Sequence, residues 1–136
     1  MPHFHAVVWI DHRGAHIHSF NWDESENVLV RHEHAAHKLH RKASETPGAQ
    51  HVHEDNAYLG AVADALQPYG EILIVGPSLA KTELKKYLDA KVPRLAARVV
   101  GVEPMDHPSD GQLLDFARRY FKRVDHLTPQ RPEVTR

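Results

Sequence analysis

The fold of this chain is decided by one stretch, Glu71-Ile-Leu-Ile-Val-Gly-Pro-Ser-Leu-Ala-Lys-Thr-Glu-Leu84. It begins with a continuous apolar run, which is typical of a central strand covered on both faces. Gly76-Pro77-Ser78 then makes a tight turn, and Ser78 is predicted to be the N-cap of the helix that follows. Apolar residues recur at helical spacing until Pro93 stops that helix. The stretch therefore predicts a buried strand followed by a crossover helix.

Toward the amino terminus, the sequence changes to the pattern of an antiparallel sheet. Three β-rich runs cover residues 5–11, 15–20 and 27–31. The second run alternates apolar and polar residues, which indicates a half-buried strand. Arg13-Gly14 joins the first two runs and supplies the turn of a hairpin. The first third of the chain therefore predicts three strands that pair antiparallel.

Around the central stretch, helical and strand patterns alternate. A helix with its N-cap at Asp55 or Asn56 precedes the stretch, and residues 98–102 form another buried strand after it. Ser109 and Gln112 form a capping box that opens the last helix. The order is therefore β-β-β-α-β-α-β-α, with right-handed crossovers between the parallel strands. We predict an α/β domain of the ribonuclease H-like, three-layer kind, with helices on the faces of a mixed five-stranded sheet.

Length and composition fit one domain without disulfides. The chain has 136 residues, no cysteine, and 17 Lys plus Arg against 18 Asp plus Glu. A disulfide scaffold and thiolate metal sites are thereby excluded. The balanced charge also excludes attraction of the whole chain to nucleic acid. We predict one domain over residues 1–127 and a flexible tail over residues 128–136.

The sequence shows no targeting feature. Residues 1–5 do not combine a basic region with a following apolar stretch, so no secretory signal is recognised. The apolar runs are far shorter than the roughly 20 residues that cross a bilayer. We therefore expect a cytoplasmic protein with no membrane partner.

Residues 34–52 differ in character from the rest of the chain. Their first part is basic and rich in histidine, and their second part is small, polar and turn-forming. We predict a long exposed loop here, and such a loop in a compact domain is usually functional or disordered. Lys38, Arg41 and Lys42 are its best candidates for contact with RNA phosphates.

The central stretch resembles the strand–glycine–helix unit in the middle domain of the eukaryotic and archaeal class 1 peptide-chain release factors and of the ribosome-rescue factor Pelota. In that family an apolar strand and a small-residue turn lead into a helix that carries Lys-Thr-Glu-Leu, here residues 81–84. The run Val8-Trp-Ile-Asp-His-Arg-Gly-Ala-His-Ile17 is similar to the family's first hairpin. The likeness covers most of residues 5–124. It implies a translation-related protein with a ribosome or RNA partner, and neither a DNA partner nor a cofactor is expected.

The family's working part is a Gly-Gly-Gln loop between the third strand and the first helix. The resemblance places Pro47-Gly48-Ala49-Gln50 at this position. A second glycine can take φ > 0 or approach RNA closely, and Ala49 does either only at a cost. We therefore expect a binding protein rather than an enzyme. It would dock through residues 34–53, with Gly48 and Gln50 at the loop tip and Gln50 as the one candidate catalytic residue.

Two other functions stay open from the sequence. A hydrolase acting on peptidyl-tRNA or RNA would use Gln50 to orient a water molecule. A metal-responsive or protein-binding module would use a histidine-rich strand face, because imidazole suits zinc, copper or nickel. An exposed edge strand can also pair two copies into a homo-oligomer. The candidate metal ligands are His16, His18, His32 and His34.

Asp11 has two interpretations. It ends the first strand, where a two-metal nuclease of this fold places its first carboxylate ligand. The fourth strand ends without an acid, however, and Glu54, Asp55 and Asp64 near the first helix offer one further ligand at most. We therefore predict that Asp11 is a turn residue that bonds its own backbone. Trp9, inside the same apolar run, is predicted to lie in the core.

Overall fold

The structure is a computed structural model that describes residues 4–21, 24–32 and 47–127, and only the backbone of residues 47–55 and 125–127. Five strands and four helices follow one another along the described chain. The strands are β1 His5–Ile10, β2 Gly14–Phe20, β3 Ser25–Arg31, β4 Glu71–Gly76 and β5 Val99–Pro104. The helices are α1 Pro47–Leu66, α2 Ala80–Lys91, α3 Pro93–Ala96 and α4 Asp110–Leu127.

The strands form one mixed sheet in the order β3-β2-β1-β4-β5. β2 pairs antiparallel with both β1 and β3, whereas β4 pairs parallel with both β1 and β5. Val8 marks the middle of the sheet, since it lies opposite Ile17 on one side and Ile74 on the other. The predicted mixed five-stranded α/β fold is confirmed.

Each face of the sheet carries its own hydrophobic core, because successive strand residues point to opposite faces. On one face, Val8 and Ile74 belong to a core that α1 and α2 complete. On the other face, Val7 packs in a second core with Phe121 of α4. All six residues of β4 are buried, which explains why its sequence reads as a continuous apolar run. The result is three layers, with the sheet in the middle.

The first helix begins earlier than the sequence predicted. α1 starts at Pro47, so the N-cap predicted at Asp55 or Asn56 is wrong. The predicted loop over residues 34–52 is also wrong for its last six positions, which are helical. Proline suits the first position of a helix because the missing N–H has no partner there and φ is already helical. The earlier part of that loop, like the predicted tail at 128–136, lies outside the described residues.

Two other helix ends differ from expectation. α2 begins after Leu79 with no side-chain cap, so the prediction of Ser78 as N-cap is wrong. Instead, the Ser78 carbonyl accepts a hydrogen bond from Lys81 Nζ at 2.6 Å. Pro93 does end α2, but it also opens the four-residue helix α3, which the sequence did not predict. The predicted capping box is confirmed: Gln112 N–H donates to Ser109 Oγ at 3.2 Å, and Ser109 N–H donates to Gln112 Oε1 at 2.9 Å.

Gly76 lies where β4 comes close to β1, at the end of the sheet. A Cβ at this position would overlap the carbonyl oxygen of Ile10, whereas a Cβ at Gly111 in α4 would meet nothing. Gly76→Ala should lower the free energy of unfolding by about 1–3 kcal/mol, because backbone atoms cannot swing aside as a flexible side chain can. Gly111→Ala should leave it unchanged or raise it by up to about 1 kcal/mol. Urea unfolding followed by circular dichroism measures both, and equal stability of the two variants would contradict the close approach.

Candidate functional site

Three turns meet at the edge of the sheet where the parallel strands end. β1 runs into the turn at residues 11–13, β4 into residues 77–79, and β5 into residues 105–109. Met105 N–H donates to the Gly76 carbonyl at 2.9 Å, which holds the second and third turns together. Ligand sites of open α/β sheets lie outside the carboxyl ends of the strands. This edge, called the carboxyl edge below, is therefore the place to look for a site.

Asp11 serves the hairpin turn at this edge. Its Oδ1 accepts the backbone N–H groups of Arg13 at 2.9 Å and Gly14 at 3.1 Å. Its carbonyl accepts the Tyr58 hydroxyl of α1 at 2.8 Å. The interpretation of Asp11 as a turn residue is confirmed. Among the residues that the structure describes, no three histidine or carboxylate side chains are arranged to hold a metal ion.

Trp9 connects β1 with the segment that follows β5. It is buried, as predicted, and its indole N–H donates to the Asp106 carbonyl at 2.7 Å. The ring of His16 lies 5.8 Å from the indole and that of His107 lies 5.0 Å from it. These rings border a pocket of about 120 Å³, here called the Trp9 pocket. Its lining residues are Trp9, His16, His107, Pro108, Asp110 and Leu113.

A shallow groove continues from the Trp9 pocket along α4. Asp106 and His107 contribute to it from the segment after β5, and their side chains are 2.9 Å apart. Phe116 supplies an aromatic wall farther along the helix. Arg119 pairs there with Asp115, one helical turn away. No pattern in the sequence indicates this surface.

The histidine-rich face predicted from the sequence does not form as one cluster. His16 and His18 lie on the sheet face covered by α4, where His18 comes within 3.5 Å of Asp110. His32 follows Arg31, the partner of Gly14, and its ring packs 4.7 Å from that of Tyr58 on the opposite face. His32 therefore lies apart from His16 and His18, and His34 lies outside the described residues.

His18 is a buried imidazole under the first turn of α4. Its Nε2 is 3.5 Å from Asp110 Oδ1, and the residue is only 3% exposed. Burial lowers the pKa of His18, because the interior disfavours the charged ring. The Asp110 carboxylate raises that pKa, and the neighbouring His16 lowers it further. Burial dominates, so the neutral imidazole is favoured in the folded protein.

The residues predicted to contact RNA divide into two groups. Lys38, Arg41 and Lys42 lie outside the described residues. Gly48 and Gln50 stand in the backbone of the first turn of α1 rather than at a loop tip. The Tyr58 bond to Asp11 fixes α1 at the carboxyl edge. Because a helix rises about 1.5 Å per residue, Pro47 lies about 16 Å along the helix axis from Tyr58.

Basic residues of α4 are partly committed to the fold. The Arg118 guanidinium donates to the carbonyls of Asn21 at 3.1 Å and Glu24 at 3.4 Å, and lies 5.4 Å over the ring of Phe20. On α2, by contrast, Lys86 and Lys91 are exposed. Both lysines lie on the solvent-facing side, as is usual for an amphipathic helix. No helix in the described ranges is long and apolar enough to cross a membrane.

This chain is similar to known proteins in structure and not in sequence. The sequence matches no protein-family model and no curated protein sequence. Pelota of Thermoplasma acidophilum superposes with a TM-score of 0.59 and 19% identity, over 82% of this chain and 31% of that one. Archaeoglobus fulgidus Pelota gives a TM-score of 0.61 and 16% identity, over 98% and 36%. The archaeal translation termination factor aRF1 gives a TM-score of 0.54 and 14% identity, over 96% and 41%.

These likenesses show a shared fold. The chain has the architecture of a Pelota- and release-factor-like α/β domain, as the sequence resemblance implied. It spans about a third of the length of the Pelota chains that it matches.

Protonation of His18 should couple folding to pH. The unfolded chain binds this proton at the ordinary histidine pKa and the folded chain only at a lower pH, so acidification through about pH 6.5 removes stability. His18→Leu should therefore lose less stability than the wild type between about pH 7.5 and about pH 5.5. Asp110→Asn should lose more, because the carboxylate that supports the protonated ring is gone. Urea unfolding at both pH values measures this, and identical losses in wild type and His18→Leu would contradict the role of burial.

Proposed function

We propose that this protein is a translation-related component that associates with the ribosome or with RNA. The observation that carries the proposal is the fold, which is shared over nearly the whole chain with a Pelota protein and with a translation termination factor. Fold alone hosts many functions, so the docking surface is argued from the residues of this chain. We propose further that residues 1–127 act as one cytoplasmic unit.

The docking surface would be the basic segment, which we define as residues 34–53. The whole chain has a formal net charge of −1, so attraction to phosphates has to come from a local concentration of cations. Lys38, Arg41 and Lys42 provide three cations within five residues, with His37 before them and His40 among them. Guanidinium and ammonium groups are the side chains that contact the phosphates of a nucleic-acid backbone.

The course of α1 supports this choice of surface. Tyr58 anchors the helix where β1 ends, and the eleven residues before it extend about 16 Å along the axis. Gly48 and Gln50 occupy the first turn and belong to the basic segment, six and eight residues after Lys42 in the sequence. The first turn of α1 and the three cations thus lie in one continuous stretch of chain, which would contact a large partner without a change in the core.

A homo-oligomer through an edge strand stays a prediction. β3 is an outer strand of the sheet, and Val28 and Leu29 on it are 47% and 45% exposed. An outer strand with apolar side chains is a template for pairing with another chain. The ribosome proposal does not depend on this contact.

Co-sedimentation with ribosomes in sucrose gradients tests the proposed surface. Wild type should migrate with ribosomal particles at low salt, and the triple variant Lys38→Ala/Arg41→Ala/Lys42→Ala should not. Each lost phosphate contact should also flatten the dependence of log affinity on log salt by about 0.7–0.9. Lys86→Ala/Lys91→Ala/Arg94→Ala is the matched control, since it removes three exposed cations from the α2 and α3 region. It should bind as wild type does.

Three outcomes would count against the proposal or change it. Wild type that stays at the top of the gradient at every salt concentration would leave the likeness as one of fold only. Equal losses in both triple variants would mean that charge acts without a defined surface. Gln50→Ala separates docking from the hydrolase alternative, because a docking segment should tolerate the change and a peptidyl-tRNA or RNA hydrolase should lose turnover.

A further inference from the structure

The Trp9 pocket has walls of aromatic rings and a carboxylate at its rim. The His16 ring is inclined by 74° to the indole, and the His107 ring by 54°. Both rings therefore stand at an angle to the indole and do not stack parallel on it. Pro108 and Leu113 complete the lining with apolar surface.

The indole offers a ligand its π system and no hydrogen bond. Its N–H already donates to the Asp106 carbonyl at 2.7 Å, which leaves no free polar atom on the ring. The face of an indole attracts cations more strongly than that of any other side chain. A cation is therefore the ligand that gains most from contact with Trp9.

Asp110 gives the pocket its charge. The Asp110 side chain is 74% exposed, and its ionisable partner within the described chain is His18, at 3.5 Å. Burial lowers the pKa of His18, so near neutral pH its neutral ring adds no positive charge to that of the first turn of α4, which partly balances Asp110. Arg119 is the one fixed cation among the described residues that line the pocket and the adjoining groove, and Asp115 already pairs with it. The charge of the pocket thus favours a positive ligand.

We propose that the Trp9 pocket binds the side chain of a lysine or arginine from a basic segment of a partner protein. The pocket has a volume of about 120 Å³, which is large enough for an ammonium or guanidinium head. Pro108 and Leu113 would contact the aliphatic stem. A nucleotide would instead bring its phosphates toward Asp106 and Asp110. This inference goes beyond the RNA docking proposed above and does not rest on it.

Titration by nuclear magnetic resonance tests the proposal through the indole N–H of Trp9. The chain has two tryptophans, so each protein tested also carries Trp22→Phe. Trp9 then gives the one indole signal. The probe is a short peptide of alternating arginine and glycine. Its counterpart with citrulline has nearly the same shape and no charge. The arginine peptide should shift the Trp9 signal to saturation at about pH 7.5, and the citrulline peptide should not.

Two variants locate the binding. Asp110→Asn should weaken the affinity for the arginine peptide about fivefold to tenfold, because a charge-assisted contact is lost. Asp64→Asn is the matched control and should bind as the parent protein does, since Asp64 is an exposed carboxylate on α1, which packs on the other face of the sheet. His107→Ala is the second variant, should Asp110→Asn fail to fold. It removes one wall of the pocket and should weaken binding as well. The His107 side chain is 68% exposed, so the fold does not depend on it.

Other results would overturn the proposal. Equal shifts with the citrulline peptide would show that the pocket does not recognise a positive charge. Unchanged affinity in both Asp110→Asn and His107→Ala would show that the peptide binds elsewhere. Tighter binding of spermidine than of the peptide would assign the pocket to a free polyamine. A shift caused by oligouridylate and not by the peptide would assign it to RNA.

Discussion

β1 and β4 lie side by side in parallel at the centre of the sheet, and both are buried on both faces. This burial of two strands on both faces is the constraint on which the rest of the fold depends. Two apolar faces need two layers of helix, which α1 and α2 supply on one side and α4 on the other. Gly76 then lets the end of β4 pass close to Ile10. The parallel pair thereby fixes where the three turns of the carboxyl edge meet.

The same pair of strands places the candidate sites at one end of the molecule. The Trp9 indole bonds to Asp106 and the Tyr58 hydroxyl bonds to Asp11, and both contacts lie where strands end. One contact holds Trp9, which lines a pocket, and the other anchors the helix whose first turns belong to the basic segment. Pelota and aRF1 share this fold at 14–19% identity, a level at which side chains at the surface are free to differ. The docking surfaces are therefore argued from this chain's own residues.

Local patterns predicted those parts of the fold that are determined locally. The apolar run of β4 has no polar face, so its central position could be predicted. The Ser109 capping box was recognisable because its two partners are three residues apart. The start of α1 at Pro47 was missed because Pro-Gly is also a turn signal. Helix α3 was missed because four residues are too few to show a period.

The candidate site depended on contacts that no local pattern reveals. The Trp9 pocket rests on a hydrogen bond between residues 97 positions apart. The position of His32 depends on strand register, since Arg31 pairs with Gly14 and the next residue turns to the other face. Lys38, Arg41 and Lys42 could be singled out from charge alone, because phosphate contact needs cations and little shape.

The most direct test of the central claim uses the absence of native cysteine. One cysteine introduced at Ser44 or at Lys86 gives each protein a single attachment point for a photo-reactive cross-linker. The proteins are then irradiated together with ribosomes. The account predicts cross-links to ribosomal RNA from position 44, inside the basic segment, and few from position 86 on α2. Equal labelling from both positions, or labelling from position 86 alone, would contradict docking through the basic segment.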